Sequence, residues 1–599
     1  MNSKIFKIIL LILFGLVIYS NSFQVPFQYD DYIFISGNPD IRDITNIKAM
    51  WNSQPQNSRF VATVTFAINY AIGKLDVVGY HVVNIIIHLI NGFLVWWLVR
   101  LLFNTPGLRG HRLKEFSSEI GWLSAMLFIA HPLQTQAVTY ITQRYASLAT
   151  LFYLLTMCWY LKGRSSVDKK NIYFIGAGIS ALLGVFTKEM TMTIPLMLLL
   201  TEWLMFEHKN IKWQTVFIYS LVLLGFLMIV PALMHFNFFW AFFEPKTSSS
   251  HTWDVVTLEP FLITQLKVWV LLLAKFVIPI GQNLDYDFPL KHNFWQFDVW
   301  GSGLVLAGLL IFALVYRRKN VLVSYGIMWF FVAISIEFVP RIYLIFEHKM
   351  YLPIAGLSMA VIGLWREKIK DEIARIIIIS AVIVALGFLT FNRNAVWGSA
   401  ISLWSDVVSK SPNKASALHM LAFSYIEDGD IKKGYAYLER TLNQDRYYVK
   451  ALYNKAYVFI ELGQNGEALK NLNECLRLNP HYSRAYVKRG LVYTNLGEYQ
   501  NALNDFAKAI ELEPRYSGGY LNRGVAYYKM NNILLAIKDF KTAINLAPEM
   551  GGAYYNLFSA YKLQGDGVHA KATAQDIKKF KLKISDKQQM EVDQFVREN

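Results

Sequence analysis

Long apolar runs recur along the first part of the chain and alternate with short charged loops. Runs such as NIIIHLINGFLVWWLVRLLF at 84–103 and VFIYSLVLLGFLMIVPALM at 216–234 are long enough to cross a bilayer as helices. The first run, IFKIILLILFGLVIY at 5–19, has a basic start and no small-residue cleavage site after it, so it predicts an uncleaved membrane helix. Hydrophobic residues make up 54% of the chain and charged residues only 17%, which is too apolar for a soluble protein of this size. The pattern predicts a polytopic membrane protein.

Basic residues gather in loops between these runs, and their positions predict the orientation of the bundle. Because cytoplasmic loops carry an excess of Lys and Arg, the loop 21–79 and everything after the run 373–391 are predicted to lie on the outer face. The segment 262–281 breaks this alternation if it counts as a span, and it carries Lys267 and Lys275 among bulky apolar residues. It is therefore predicted to be an interfacial or re-entrant helix, which leaves about eleven crossings. The formal charge of +16 reflects these loops and indicates orientation, not a nucleic-acid partner.

From about residue 415 the sequence becomes polar and repeats with a 34-residue period. Small residues at fixed offsets let two antiparallel helices approach closely, aromatic residues fill the gaps, and proline ends each pair. The positions that keep the period include Pro480, Pro514 and Pro548, Gly463, Gly497 and Gly565, and Ala468, Ala502 and Ala536. The period predicts a tetratricopeptide (TPR) solenoid of about five repeats.

The change of pattern predicts the domain boundaries. Residues 1–392 form the membrane domain, 393–414 form a half-repeat that caps the solenoid and joins it to that domain, 415–581 form the repeats, and 582–599 form a polar tail. The expected fold class is all-α, with a membrane helix bundle followed by an α-solenoid.

Four polar residues recur at one position of the first helix in successive repeats. Carboxamides hydrogen-bond a peptide backbone through both a donor and an acceptor, so this position predicts a groove for an acceptor peptide. The alternative is that these are ordinary solvated positions. The four residues are Asn454, Lys488, Asn522 and Asn556.

Four clusters of acidic and basic residues are predicted to share the outer face. They lie in FQYDDY at 27–32, HPLQTQAVTYITQR at 131–144, TKEM at 187–190 and RIYLIFEHKMYLP at 341–353. Each alone is typical of interfacial anchoring. Their convergence predicts a site that combines a carboxylate base with cations for an anionic group. The residues concerned are Asp30, Asp31, His131, Arg144, Lys188, Glu189, Arg341, Glu347, His348 and Lys349.

A polar stripe lies within one of the predicted spans. His81, Asn84 and His88, spaced three and four apart, share one face of a helix. A metal site would need a third ligand of suitable geometry, and none is evident in the sequence. Hydrogen bonding inside the bundle is the favoured interpretation, and no metal is predicted.

Five motifs in order carry a resemblance to a known family. YDDYIFISGNPDI, RFVATVTFAINYAIG…GYHVVNIIIHLING, HPLQTQAVTYITQR, FTKEM and FEHKMYLPIAG, followed by TPRs, resemble the transmembrane-and-TPR-containing O-mannosyltransferases, in particular their bacterial relatives. The resemblance covers essentially the whole chain. It implies an enzyme whose membrane helix bundle is of GT-C type. Such an enzyme takes a sugar from a polyprenyl-phosphate donor and attaches it to an acceptor on the outer or luminal face of the membrane. The lipid-linked sugar is a substrate, and no cofactor is expected.

The resemblance also implies roles for individual residues. Asp30 is implied as the base toward an acceptor hydroxyl, with Asp31 supporting it, and the basic residues would hold the lipid phosphate. The chain departs from the animal members at Gln134 and Gln136, where they carry His and Glu, so the roles of those two residues do not carry over. The expected phosphate-binding set is Arg144, Lys188, Arg341, His348 and Lys349, and the expected supporting set is His81, Asn84, His88, His131, Glu189 and Glu347.

Three functions fit these features. The first is a glycosyltransferase that moves mannose or another hexose to a protein Ser or Thr hydroxyl, with the TPRs engaging the acceptor and the bundle embedded in membrane lipid. The second is a polymerase or ligase of lipid-linked glycans, and the third is a scaffold for envelope assembly without catalytic activity. A scaffold would need only one membrane helix, so it leaves the many predicted spans unexplained. The lack of an Asn-x-Ser/Thr sequon favours a bacterial inner membrane with an extracytoplasmic solenoid over an ER membrane with a luminal one.

Overall fold

A computed structural model describes residues 3–52, 59–206, 225, 246–248, 251–340 and 344–598 of the chain. The regular elements among these residues are helices, as predicted, apart from the short paired strands β1 (Lys246–Ser248) and β2 (His251–Val256). The chain divides into two compact units: the first comprises 1–248 and 252–412, and the second comprises 249–251 and 413–599. Apart from residue 225, the predicted span at 216–234 lies outside the described residues, and so does the predicted site residue Arg341.

Helices of very different length build the first unit, and short 3₁₀ turns connect several of them. The long helices enclose one large hydrophobic core, and a second core lies beneath the first loop. In the described part of this unit the α-helices are α1 (Ser3–Ile18), α2 (Ile47–Asn52), α3 (Phe60–Gly73), α4 (Val77–Leu102), α5 (Pro106–Arg109), α6 (Ser117–Ala130), α7 (Thr135–Val138), α8 (Arg144–Ser165), α9 (Lys170–Val185), α10 (Ile194–Met205), α11 (Leu258–Val277), α12 (Phe297–Tyr316), α13 (Val321–Ile334), α14 (Tyr351–Lys368), α15 (Glu372–Val396) and α16 (Ala400–Lys410).

Within the described residues, five helical segments are long and apolar enough to cross a membrane. They are Val77–Leu102, Leu258–Val277, Phe297–Tyr316, Val321–Phe338 and Glu372–Val396. Several apolar helices are therefore candidate spans, while the count of about eleven crossings stays a prediction that rests on charge parity.

The helix α11 covers most of the segment predicted to be interfacial or re-entrant. It has the length and composition of a span. The loop that follows it runs back along the helix, because the backbone N–H of Lys291 donates to Thr264 Oγ1 at 2.8 Å. Lys267, in the middle of α11, pairs with Asp298 in the first turn of α12 at 2.7 Å. The second half of α11 therefore extends beyond the start of α12, and the interfacial or re-entrant placement of this helix stays a prediction.

Cysteine labelling from outside the cell tests this topology. Lys48→Cys, His292→Cys and Lys470→Cys should react with a membrane-impermeant maleimide in intact cells, because all three positions are predicted to face outward. Arg318→Cys, in a predicted cytoplasmic loop, should react only after lysis. The native Cys158 and Cys475 are buried and give little background. Labelling of position 292 only after lysis would make α11 a true span and overturn the predicted parity.

The segment after α13 is held by a close contact between two helices. A Cβ atom on Gly326 of α13 would meet the backbone oxygen of Gly356 in α14, and the converse also holds. Small residues at such a crossing let two backbones approach without side chains between them. This contact fixes the start of α14 and the turn 347–350 before it, where three of the predicted site residues lie.

The second unit contains five helix pairs in the predicted 34-residue register. Its helices are α17 (Ala415–Glu427), α18 (Ile431–Gln444), α19 (Val449–Glu461), α20 (Asn465–Leu478), α21 (Ser483–Leu496), α22 (Tyr499–Leu512), α23 (Ser517–Lys529), α24 (Ile533–Leu546), α25 (Gly551–Gln564), α26 (Gly567–Lys579) and α27 (Asp586–Glu598). The periodic Gly463, Gly497 and Gly565 have φ of 71°, 80° and 81° after first helices, a left-handed conformation that ends a helix and suits glycine.

The segments at either end of the repeats are helical as well. The polar tail forms α27, whose Phe595 ring packs 5.2 Å from that of Phe558. At the other end, the predicted half-repeat forms α16, which belongs to the first unit. Its Trp404 ring packs against Tyr29 of the first loop, with 5.7 Å between centroids. Its role as a cap of the solenoid stays a prediction.

Candidate functional site

The first loop reaches the aspartate pair in a strained backbone. Tyr29, directly before the pair, has φ of 44°, which is rare for a residue with a side chain. A single turn of π-helix (Tyr32–Ser36) follows directly after it. Such irregular backbone persists where surrounding contacts hold it, and it clusters at functional sites. The conformation therefore marks Asp30 and Asp31 as a place where the fold holds a particular geometry.

Asp31 ties this loop to the turn before α8. Its Oδ1 accepts from the backbone N–H of Thr142 at 2.7 Å and also from the Thr142 hydroxyl, and its Oδ2 accepts from Gln28 N–H at 2.9 Å. The side chain is 1% exposed. Burial raises the pKa of Asp31 to about 7, although these three donors act in the opposite direction. Its hydrogen bonds suit a residue that positions the loop.

Asp30 has a different environment. Its backbone N–H donates to the Tyr140 hydroxyl at 2.8 Å, and the residue is only half-buried. Burial raises the pKa of Asp30, while Tyr140 and the charge of Arg59 act to lower it. Of the pair, Asp30 is thus the carboxylate with access to solvent, and Asp31 and Tyr140 fix its backbone. This arrangement is what a general base requires.

Arg144 begins α8 and is fully buried. Its Nε donates to Asn84 Oδ1 at 2.6 Å, one Nη donates to Asn69 Oδ1 at 2.7 Å and to Thr65, and the other donates to the carbonyl of Tyr80 at 3.0 Å. These hydrogen bonds direct the N–H donors of the guanidinium to acceptors inside the protein. The geometry favours a structural role for Arg144, and its predicted contact with a phosphate finds no support here.

The polar stripe of α4 makes hydrogen bonds inside the bundle. His81 Nε2 lies 2.8 Å from the carbonyl of Val25 and so anchors the first loop. Asn84 donates to the carbonyl of Val138, and His88 Nδ1 lies 2.7 Å from the Tyr351 hydroxyl. The interior hydrogen bonding that the spacing predicted is thus present. Within the described residues, no group of three or more His, Cys, Asp or Glu side chains is placed to hold a metal ion.

His131 fixes the segment that leaves α6. Its ring stacks on that of Phe276 at 5.0 Å, with Nε2 2.9 Å from the Phe276 carbonyl, and its Nδ1 accepts from Leu133 N–H. Burial lowers the pKa of His131 to about 4, so the ring is neutral and its Nε2 carries the proton toward that carbonyl. His131 therefore positions the segment 132–144.

Lys188 reaches the same turn as the aspartate pair from a different helical hairpin. Its Nζ donates to Gln143 Oε1 at 3.3 Å, and the side chain is largely buried. Gln143 adjoins Thr142, the partner of Asp31. The neighbouring Glu189 is half-buried in the 3₁₀ turn that follows. The turn 140–144 thus brings Asp30, Asp31, Arg144 and Lys188 together.

The turn 347–350 forms a separate group. Glu347 is buried and accepts from the Asn283 backbone N–H at 2.7 Å and from the Tyr286 hydroxyl at 2.6 Å, so it holds the loop after α11. Lys349 pairs with Glu337. The His348 backbone N–H donates to Gln136 Oε1 at 2.6 Å. Gln136, one of the two departures from the animal motif, thus links this turn to the segment 132–144.

Several residues that were not predicted from the sequence complete the site. Asn91 extends the α4 stripe by one more turn and donates to the Ser147 carbonyl at 2.8 Å, and the three- and four-residue spacing could have revealed it. Tyr140 and Thr142 contact the aspartates but look like ordinary loop residues in the sequence. Arg59 lies near Asp30, although no recognisable spacing relates the two in the sequence.

The predicted groove residues of the solenoid differ in their contacts. Asn454 is largely buried, with its amide nitrogen 2.9 Å from His419 Nε2 of the preceding repeat. Lys488 lies 4.6 Å from the centre of the Tyr457 ring, and Asn522 donates to the Gly518 carbonyl in its own helix. Asn556 is half-buried. For Asn454 the contact favours a role between repeats, while peptide binding by the set stays a prediction.

Comparisons with known proteins first concern the repeats of the second unit. A tetratricopeptide repeat model matches residues 449–482 and 518–550, and a second TPR repeat model matches residues 490–531. The predicted TPR repeats are thereby confirmed. The TPR protein TTC0263 from Thermus thermophilus, for which there is a crystal structure, is 20% identical in sequence to this chain. The match covers 31% of this chain and 99% of that chain, with a TM-score of 0.28.

Curated relatives support the resemblance seen in the motifs. Protein O-mannosyl-transferase F38B6.6 of Caenorhabditis elegans is 24% identical over 455 residues, which cover 72% of this chain and 62% of that protein. Protein O-mannosyl-transferase TMTC3 of Homo sapiens is 22% identical over 450 residues, which cover 66% of this chain and 47% of that protein. The chain thus spans less than two thirds of the length of these relatives. Its similarity to the protein O-mannosyl-transferases is confirmed.

Proposed function

We propose that this protein is a membrane glycosyltransferase that moves a hexose, mannose foremost, from a polyprenyl-phosphate donor to a Ser or Thr hydroxyl of a protein. The observation that carries the proposal is Asp30, a half-buried carboxylate whose backbone is fixed by Asp31 and Tyr140. The curated relatives named protein O-mannosyl-transferases support the class of reaction. The donor, the acceptor and the face of the membrane are parts of the proposal.

The site's residues divide the chemistry between them. The acceptor oxygen attacks the anomeric carbon of the sugar while its proton passes to the Asp30 carboxylate, and the bond from that carbon to the phosphate oxygen breaks. Polyprenyl phosphate leaves with the bonding electrons, and one displacement inverts the configuration of the sugar. Cations near the leaving phosphate offset its charge. Of the predicted cations, Lys188 lies at the same turn as the aspartates.

The solenoid is proposed to engage the acceptor protein. TPR repeats bind peptides or proteins along the face lined by first helices, and the recurring position at 454, 488, 522 and 556 lies on such helices. Lys488 adds a cation there, and burial lowers its pKa. The basic loops favour a site and a solenoid outside the cytoplasm, in a bacterial inner membrane with the repeats extracytoplasmic.

Glycan profiling of envelope proteins tests the proposal in cells. Intact-mass analysis of strains with and without the protein should reveal acceptor proteins that lose a hexose mass only in its absence. Loss of a long lipid-linked glycan without any change in proteins would favour the polymerase or ligase instead. Unchanged glycans with lost envelope complexes would favour the scaffold.

The pH dependence of transfer offers a second test, because burial raises the pKa of Asp30 and raises that of Asp31 to about 7. A general base acts only when ionised, so the rate should fall as the pH is lowered, and the fall should begin above the range of about 4 in which an ordinary carboxyl titrates. Both pKa values rise on folding, so protonation of these groups favours the folded state and they cause no loss of fold in that interval. A rate that falls only in the range of about 4, where an ordinary carboxyl titrates, would contradict the buried environment of Asp30.

A further inference from the structure

Arg59 lies directly before α3 and contacts two elements of the site. Its guanidinium carbon is 4.8 Å from the centre of the Tyr145 ring and 5.7 Å from that of Phe34. Phe34 belongs to the turn that begins at Asp30, since its backbone N–H donates to the Asp30 carbonyl at 2.9 Å. Tyr145 is the second residue of α8. The two aromatic rings therefore hold the guanidinium between the catalytic loop and the start of α8.

This cation differs from the others near the site in what its donors contact. Within the described part of the chain, the Arg59 guanidinium makes no hydrogen bond or ion pair, and the residue is half-buried. By contrast, Arg144 donates to interior acceptors, and Lys349 pairs with Glu337. Ring contacts use the face of a guanidinium and leave the N–H groups at its edge for an anion. Arg59 thus has the donors that a phosphate requires.

The charge of Arg59 acts on the same carboxylate that is proposed as the base. Burial raises the pKa of Asp30 and the charge of Arg59 acts to lower it, so Arg59 lies within electrostatic reach of that carboxylate. Asp30 and Arg59, both among the described residues, form no ion pair with each other. An acid and a guanidinium that are close but not paired suit two reacting groups that fit between them, with the acceptor hydroxyl at the acid and the anionic phosphate of the donor at the cation.

We propose that Arg59 binds the phosphate of the lipid-linked sugar donor and so places the anomeric carbon between that phosphate and Asp30. The inference rests on the proposed function and adds to it a residue outside the predicted phosphate-binding set. A planar guanidinium contacts two phosphate oxygens at once, which fixes orientation as well as charge. During transfer the same contacts stabilise the negative charge on the leaving polyprenyl phosphate.

Binding of undecaprenyl phosphate without a sugar tests the proposal on the purified full-length protein in nanodiscs. Arg59→Gln should weaken binding about tenfold or more, the loss expected when a charge-assisted contact is removed. Arg59→Lys keeps the charge but not the two-oxygen contact, so its affinity should lie between those of Arg59→Gln and the wild type. Lys48→Gln, which removes an exposed cation of the same loop, should bind as the wild type does.

Transfer kinetics separate a phosphate contact from a structural role. Arg59→Gln and Arg59→Lys should raise the KM for the donor and leave the KM for the acceptor unchanged, whereas a distorted site would change both. Wild-type affinity in a folded Arg59→Gln variant would overturn the inference and leave the proposed function standing. If Arg59→Gln fails to fold, wild-type affinity in Arg59→Lys would overturn it. Wild-type protein that binds the lipid phosphate but transfers no sugar would overturn the proposed function alone.

Discussion

The Asp30→Asn variant is expected to lose sugar transfer by about 100-fold or more, the scale of a lost general base, while it folds and inserts like the wild type. Asparagine matches aspartate in size but cannot take the proton of the acceptor hydroxyl. The hydrogen bond that fixes this residue uses its backbone N–H and survives the change. The measurement is the initial rate of transfer by purified protein, together with its thermal unfolding profile.

A matched control lies in the same loop. Asp43 is an exposed carboxylate that, among the described residues, accepts side-chain hydrogen bonds only from Thr45, so Asp43→Asn should transfer at the wild-type rate. Asp31→Asn separates the roles within the pair. Its amide cannot accept from both Gln28 N–H and Thr142 N–H, so this variant should lose stability as well as rate. Full activity of Asp30→Asn would remove the loop from the chemistry.

The Arg144→Ala variant should have the largest effect on stability. It leaves buried acceptors on Asn69, Asn84 and Tyr80 without their donor, and each such group costs about 1–3 kcal/mol. Arg144→Lys should rescue only part of this loss, since one ammonium cannot reach acceptors that lie around a planar guanidinium. The effect is measured as the change in unfolding temperature, with size-exclusion chromatography used to monitor the loss of folded protein on heating.

Arg100→Ala is the control for this prediction. Arg100 lies in the last turn of α4 and is exposed, so its removal should leave the unfolding temperature unchanged. If Arg144→Ala unfolds at the wild-type temperature but binds polyprenyl phosphate weakly, Arg144 contacts the substrate after all, and the structural role assigned to it is wrong.

The repeats were predictable because their signal is local and periodic. A helix pair fits within one 34-residue period, and the glycines that end first helices keep that period in the sequence. The stripe on α4 was predictable for a related reason, since residues three and four apart share a helix face. The same spacing leads to Asn91, which completes the stripe.

The site was predictable only in part, because its contacts join distant segments. The sequence shows two adjacent aspartates, but the partner of Asp31 is Thr142, 111 residues away. The two acids differ in burial and in donors, and neither property can be read from the letters DD. For Arg144 the difficulty is the converse, because the sequence predicts a ligand contact that the surrounding fold does not favour. Its charge suggested a phosphate ligand, whereas the fold surrounds it with interior acceptors.

Reconstituted transfer tests the central claim most directly. Wild-type protein in nanodiscs, supplied with polyprenyl-phosphate mannose and an acceptor protein found by the envelope profiling, should add one hexose mass to a Ser or Thr residue. The linkage should have inverted configuration, and Asp30→Asn should form no product under the same conditions. Absence of protein-linked sugar from folded wild-type protein, or equal product from folded Asp30→Asn, would contradict the account.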